Sequence, residues 1–297
     1  MLALREPEPI IRLESAPRSH WAKHRARARL GVGRLLRSWL LTGRWHYALL
    51  LLSETGRLLA REKYSAFAID RIYANTPAGL GWLGRRLDRY VLDLPVHRAV
   101  RDRFAFVTRH LRAILQAELT AGATVRVLSV PCGLARDLCT VYAGLSPALR
   151  RRVEFYGLDL DYEGRVLAET RRRTDTAGVP ILLVQANALL DHTWSWLRTE
   201  AGPLSVINCI GLAPWLTPEE LAALLQRFAT HLRSGGHLLL DRFNRGRHSK
   251  LGADAEIHAH YHTEEIYRVA IDASGLIIAD STTLGESEGT AYWLRRP

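Results

Sequence analysis

Residues 125–163 read VRVLSVPCGLARDLCTVYAGLSPALRRRVEFYGLDLDYE. Val125, Val127, Leu128 and Val130 form a short apolar run, as in a strand buried on both faces. Pro131, Cys132 and Gly133 interrupt it, and Leu134 to Ala143 has helical spacing. Val153, Phe155 and Tyr156 begin a second strand that ends at Gly157-Leu158-Asp159-Leu160-Asp161. Strand, tight loop, helix, strand and acidic turn make half of a nucleotide-binding α/β unit. In such a unit the first loop brings backbone N–H groups to the ligand, and the acid about 20 residues on holds ribose hydroxyls.

Working downstream, the alternation continues. A helix is predicted over 163–176, a strand over 181–184 leading to Gln185-Ala186-Asn187-Ala188, and a strand over 204–207 leading to Asn208. Thr217-Pro218-Glu219-Glu220 carries three helix-start signals: Thr as N-cap, Pro at the first position and Glu at the third. Leu221, Leu224, Leu225, Phe228 and Leu232 form the buried face of that helix. A strand over 237–240 has Asp241 at its tip, Thr263 caps a last helix, and 276–278 with 291–294 form a closing hairpin. Alternating β and α with short connections predicts a Rossmann-like, doubly wound, mostly parallel sheet with helices on both faces.

Upstream, the chain is helical and basic. Residues 1–20 are a polar arm with three prolines, and 21–37 (WAKHRARARLGVGRLLR) are dense in arginine. One long helix is predicted over 44–72, stopped by Asn75-Thr76-Pro77-Ala78-Gly79. A second carries Leu80, Leu83, Leu87, Tyr90 and Val91 on its apolar side, with Arg85, Arg86, Asp88 and Arg89 opposite. Pro95 ends it, and Val100, Phe104, Val107, Leu111 and Ile114 mark a third. The division is thus a basic, mainly helical cap over 1–120 and an α/β domain over 121–297. The first 100 residues hold 18 Lys/Arg against 8 Asp/Glu, an excess of 10 in a net charge of +11. A solvated basic face and a surface that meets an anion are both open readings of that excess.

Three cysteines show no paired framework and no metal-ligand spacing, which fits a reducing compartment. Cys132 reads as a small packing residue. The start has no apolar signal-like stretch, and the longest early apolar run, 47–52, is far below a membrane span of about 20 residues. The expectation is a cytoplasmic protein. No Ser/His/Asp or Cys/His constellation suggests covalent catalysis, and the absence of Gly-x-Gly-x-x-Gly argues against a dehydrogenase.

Val127-Leu128-Ser129-Val130-Pro131-Cys132-Gly133-Leu134-Ala135, with Asp159, resembles the cofactor site of class I S-adenosylmethionine-dependent methyltransferases, whose first motif is usually V-L-D-x-G-x-G-x-G. Only Gly133 keeps its glycine; Ser129 stands where Asp is usual, and Pro131 and Ala135 where Gly is. Tyr73 to Gly79 and Gly81 to Arg103 also resemble the region ahead of that motif in a bacterial group called putative methyltransferases. The resemblance implies a seven-stranded sheet with an antiparallel final strand, S-adenosylmethionine as cofactor, and direct methyl transfer to an acceptor. It implies that Ser129, Pro131, Cys132 and Gly133 face the methionine moiety, that Asp159 and Leu160 lie at the ribose, that Asn187 and Ala188 lie at adenine, and that Asn208 approaches the methyl group. Asn187 reads equally well as a turn residue. Because Ser129 lacks the charge of Asp, the ligand ammonium loses a partner; Asp137 either replaces it or is a solvent-facing helical acid.

Asp254, Glu256, His258, His260 and His262 alternate with period two. A loop leading to the next helix is expected, without a metal. His260 and His262 are the candidates for a general base, with an ordinary pKa near 6.5. The acceptor expected is a small or amphipathic, lipid-like molecule with an acidic end. A peripheral contact with a membrane is a further option. RNA guided by the basic cap, or a non-catalytic binding role, are the alternatives; nucleic acid is disfavoured because no RNA-binding module is visible. Oligomeric state is left open.

Overall fold

The computed structural model describes residues 10–13, 49–244 and 259–297. The arginine-dense stretch 21–37, the start of the expected helix at 44–48, and Asp254, Glu256 and His258 lie outside these.

A single eight-stranded sheet organises the described chain: β1 (Ile11–Arg12), β2 (Val125–Ser129), β3 (Val153–Asp159), β4 (Ile181–Gln185), β5 (Leu204–Cys209), β6 (Leu232–Phe243), β7 (Ile277–Leu284) and β8 (Gly289–Arg295). Their order is β1-β4-β3-β2-β5-β6-β8-β7, parallel throughout except that β8 runs antiparallel to both neighbours. The expected count of seven is corrected by β1, where two residues from the polar arm add an edge strand beside β4. Residues 10–13 of the expected cap region therefore reach the sheet itself.

Strand residues alternate between two cores, the consequence of a period-two side-chain arrangement with both faces covered. Val127, Phe155, Leu183 and Val206 point to one face; Leu128, Tyr156, Val184 and Ile207 point to the other. The first face is covered by α4 (Pro95–Thr120), α5 (Arg136–Ala143) and α7 (Arg165–Ala177), the second by α8 (Asp191–Glu200), α9 (Pro218–His231) and α10 (Glu264–Ser274). A short α6 (Pro147–Arg150) links α5 to β3. The capping box expected at Thr217 is present in both directions, with the Thr217 hydroxyl accepting from the Glu220 N–H and the Glu220 carboxylate accepting from the Thr217 N–H.

Ahead of α4 lie α1 (Glu54–Glu62), α2 (Ala66–Ala74) and α3 (Gly81–Leu92). The one long helix expected over 44–72 is instead α1 and α2, broken at Lys63, whose φ is 57°. Two serines explain the break: Ser53 and Ser65 each accept a hydrogen bond from the N–H three residues on, so each starts its own helix. The orientation of α3 also differs from expectation. Asp88 is fully buried, and Gly84, Val91 and Leu92 share its face, while Leu80, Trp82, Leu83 and Tyr90 are exposed beside Arg85, Arg86 and Arg89. The cause is the set of donors around Asp88: Ser53 Oγ (2.6 Å), Thr55 N (2.7 Å), Ala78 N (2.8 Å) and Arg71 Nη2 (3.2 Å). Desolvation alone would raise the Asp88 carboxyl; these bonds outweigh it and hold it below the ordinary range. Hydrogen bonding to a polar residue thus decides the rotation of an otherwise amphipathic helix.

Candidate cofactor and acceptor site

Chain winding places the site. From β2 the chain moves outward to β3 and β4, then returns to β5 on the other side of β2 and proceeds to β6. Open α/β sheets bind ligands beyond the carboxyl ends of strands at such a reversal. Register puts Ser129 opposite Gly157 on one side and Asn208 on the other, with Asp159 opposite Gln185. Ser129, Asp159, Asn208 and Asp241 therefore stand along one rim.

The first loop is tied to both flanking strands. Val130 N donates to Asn208 O (2.8 Å), and Cys132 N donates to Leu158 O (2.8 Å). Gly133 has φ +49°, donates its N–H to Asp159 Oδ2 (3.1 Å) and accepts at its carbonyl from Thr170 Oγ1 (2.6 Å). Ala135 keeps a left-handed backbone, φ 49° and ψ 30°, at the position where the family usually has glycine. Pro131 is half-buried; Cys132 is buried, and burial pushes its thiol well above the ordinary range, which makes it a packing residue rather than a nucleophile.

Asp159 is 6% exposed, and its second oxygen accepts from Asp161 N (3.1 Å). Leu160 follows it, half-buried. Asp161 is turned away to cap α7, accepting from Leu167 N (2.8 Å). Across the rim, Asn187 Oδ1 closes a turn by accepting from Leu189 N (2.9 Å), and Ala188 O accepts from Trp194 Nε1 (2.8 Å). The turn role of Asn187 is thus realised, with its amide N–H group still able to donate.

At the reversal, Asn208 is 2% exposed and its Nδ2 donates to Ser129 Oγ (3.3 Å) and to an Asp137 carboxylate oxygen. Asp137 lies in the first turn of α5 and is half-buried. Desolvation pushes its carboxyl above the ordinary range, against bonds from Leu138 N and Asn208 and the charge of Arg103.

A second cluster closes the rim from the cap. Arg103, 4% exposed, donates through Nη1 to Asp241 Oδ2 (2.7 Å) and through Nη2 to Tyr73 Oη (2.8 Å). Gly211 N donates to Asp241 Oδ1 (2.7 Å). Gly211 has φ +80°, and a Cβ there would lie 3.4 Å from Arg103 Nη1, so glycine suits both the turn and the close guanidinium. Burial opposes the Arg103 charge, but Tyr73 and Asp241 outweigh it and raise its pKa. Burial likewise raises the Tyr73 phenol. Sequence reading missed Arg103; its signal was an arginine on the apolar stripe Val96, Val100, Val107, Leu111.

The histidine candidates lie in the segment just before α10. His260 N donates to Pro214 O (2.6 Å), and His262 Nε2 lies 2.8 Å from Leu216 O. His262 is buried and burial depresses its pKa. Both pin the segment before α10 against the short helical turn Ala213–Trp215, where Trp215 is half-buried. Among the described residues no group of three or more His, Cys, Asp or Glu side chains is arranged to hold a metal.

Comparisons with known proteins match this fold. Residues 48–159 match the model of the family described as Putative methyltransferase. The match runs through the cap helices and ends at Asp159. A structure described as a possible exported protein from Bordetella parapertussis has a TM-score of 0.69 at 20% identity, covering 94% of this chain and 97% of that one. Magnesium protoporphyrin IX methyltransferase from Synechocystis PCC 6803, solved with bound SAH, has a TM-score of 0.52 at 13% identity, covering 81% of this chain and 100% of that one. Its form with bound SAM gives 0.51 at 12% identity. No curated protein matches. The fold is that of the class I methyltransferases.

Proposed function

We propose that the chain is an S-adenosylmethionine-dependent methyltransferase acting on a small or amphipathic acceptor. The observation that carries this reading is the Gly133 loop bonded to the Asp159 carboxylate at the reversal of a doubly wound sheet. The residues present suit the cofactor. Gly133 leaves room for main-chain approach, Asp159 is aligned to accept from a cis-diol, and the Asn187 amide can meet adenine. When bound, the cofactor supplies a methyl group activated on a sulfonium, which an acceptor O, N or C atom takes directly. The protein's part is alignment and exclusion of water. Arg103 bonds both Tyr73 and Asp241, so the cap meets the rim there, which supports an acceptor held between cap and sheet.

The exposed side of α3, with Leu80, Trp82, Leu83 and Tyr90 among Arg85, Arg86 and Arg89, supports a lipid-like acceptor reached from an anionic membrane surface. Among the described residues no helix is long and apolar enough to cross a membrane. Three free cysteines fit work in the cytoplasm. The test is release of S-adenosylhomocysteine (SAH) from the cofactor in the presence of panels of acyl and aromatic carboxylates, and separately of RNA. Turnover with a member of the first panel supports the reading. Turnover with RNA alone moves the protein to the nucleic-acid class.

A further inference from the structure

Asn208 carries an unusual defect. Its Nδ2 is used twice, yet its Oδ1 is buried and has no hydrogen-bond partner among the described residues. A buried amide oxygen without a donor is a net loss of stability. The same Nδ2 touches Asp137, so the orphaned oxygen and the carboxylate stand together at the tips of β2 and β5. Both are acceptors. What the pair lacks is a donor with more than one N–H, preferably carrying positive charge. Arg103 does not fill that role: its two terminal nitrogens are bonded to Asp241 and Tyr73.

We propose that Asp137 and Asn208 together form the seat of a primary ammonium group, the amino end of the cofactor's amino-acid tail. The inference rests on the methyltransferase reading and deepens it. It explains the altered strand tip. Ser129 has no charge, and its hydroxyl only accepts from Asn208. The carboxylate stands instead in the first turn of α5, eight residues further along the chain, where it shares the Asn208 amide with Ser129. An ammonium presents three donors, enough for the Asn208 oxygen and the Asp137 carboxylate at once. The charge of Asp137 agrees: Arg103, bonded to Asp241, leaves it without an ion pair among the described residues, which suits a cationic ligand group.

The experiment compares two ligands on the full chain by calorimetry. SAH carries the amino-acid tail; 5′-methylthioadenosine has the nucleoside and sulfur without it. Asp137→Asn, which keeps the shape, is expected to weaken SAH by about tenfold or more, the scale of losing a charged hydrogen bond. Methylthioadenosine affinity is expected to stay within about twofold of wild type by the same reasoning, since that ligand never reaches the seat. Asn208→Ser, which withdraws the amide oxygen, should show the same tail-selective loss and serves if the first variant does not fold. Undiminished SAH affinity, or equal loss for both ligands in both variants, would overturn the inference. A wild-type protein that binds neither ligand would instead remove the methyltransferase reading on which it stands.

Discussion

Replacing Asp241 by Asn tests the joint between cap and sheet. In the native protein two donors converge on its two oxygens: Arg103 Nη1 at 2.7 Å and Gly211 N at 2.7 Å. Arg103 is 4% exposed and Asp241 is completely buried. An amide offers one acceptor and one donor where the carboxylate offered two acceptors, so one of the two N–H groups must face another N–H. The guanidinium also loses its compensating charge. Breaking a buried pair from one side destabilises by about 3–5 kcal/mol, a large share of a total of about 5–15 kcal/mol. Arg103→Met breaks the pair from the other side and should fall in the same range. The double variant removes both charges, so its loss should be smaller than the sum of the singles by about 1–3 kcal/mol. Urea unfolding followed by circular dichroism measures all four proteins. Single losses under about 1 kcal/mol, or strict additivity, would refute the claim that this pair ties the cap to the rim.

Other outcomes follow from single positions. Ala135→Gly should stabilise by about 1 kcal/mol, because alanine there holds φ 49°; thermal unfolding should rise by about 2–4 °C, and no rise would show that the turn is not strained. Asp137→Asn should stabilise the ligand-free protein at pH values above the raised folded pKa of Asp137. A carboxyl whose folded pKa is raised contributes stability below its unfolded pKa and loses it as pH rises through the folded value, so the gap between variant and wild type should widen with rising pH and close in acid; the opposite trend in melting temperature would contradict the burial of its charge. Replacing Arg85, Arg86 and Arg89 by Gln should lower sedimentation with phosphatidylglycerol vesicles while leaving SAH affinity unchanged; equal sedimentation would deny α3 a role at a lipid surface.

The sheet was legible because burial on both faces writes a simple signal: short apolar runs ending in Gly133, Asp159, Asn187, Asn208 and Asp241, separated by helical periodicity. What the sequence concealed was decided by polar groups acting at a distance. Asp88 reads as a solvent-facing residue among arginines, and only the convergence of Ser53, Thr55 and Ala78 upon it turns α3 over. The split between α1 and α2 is carried by Ser65 as an N-cap, a local signal that the leucine pattern overshadowed. The extra strand, β1, is two residues long, too short for any periodicity. At the site, Asp159 and Gly133 could be placed from spacing. Arg103 was hidden because it occupies an apolar stripe, and its partner Asp241 lies 138 residues away. His260 and His262 lie in the segment before α10, where the main-chain N–H of His260 bonds Pro214 O and the buried ring of His262 meets Leu216 O.

Titration of the protein with SAH, beside its Asp159→Ala variant, tests the central claim most directly. Saturable one-to-one binding by the wild type is expected. The folded variant should lose about 1–3 kcal/mol of that binding, the scale of hydrogen bonds to a charged group. No heat of binding in the wild type, or an affinity that the variant leaves unchanged, would contradict the assignment of this rim to S-adenosylmethionine.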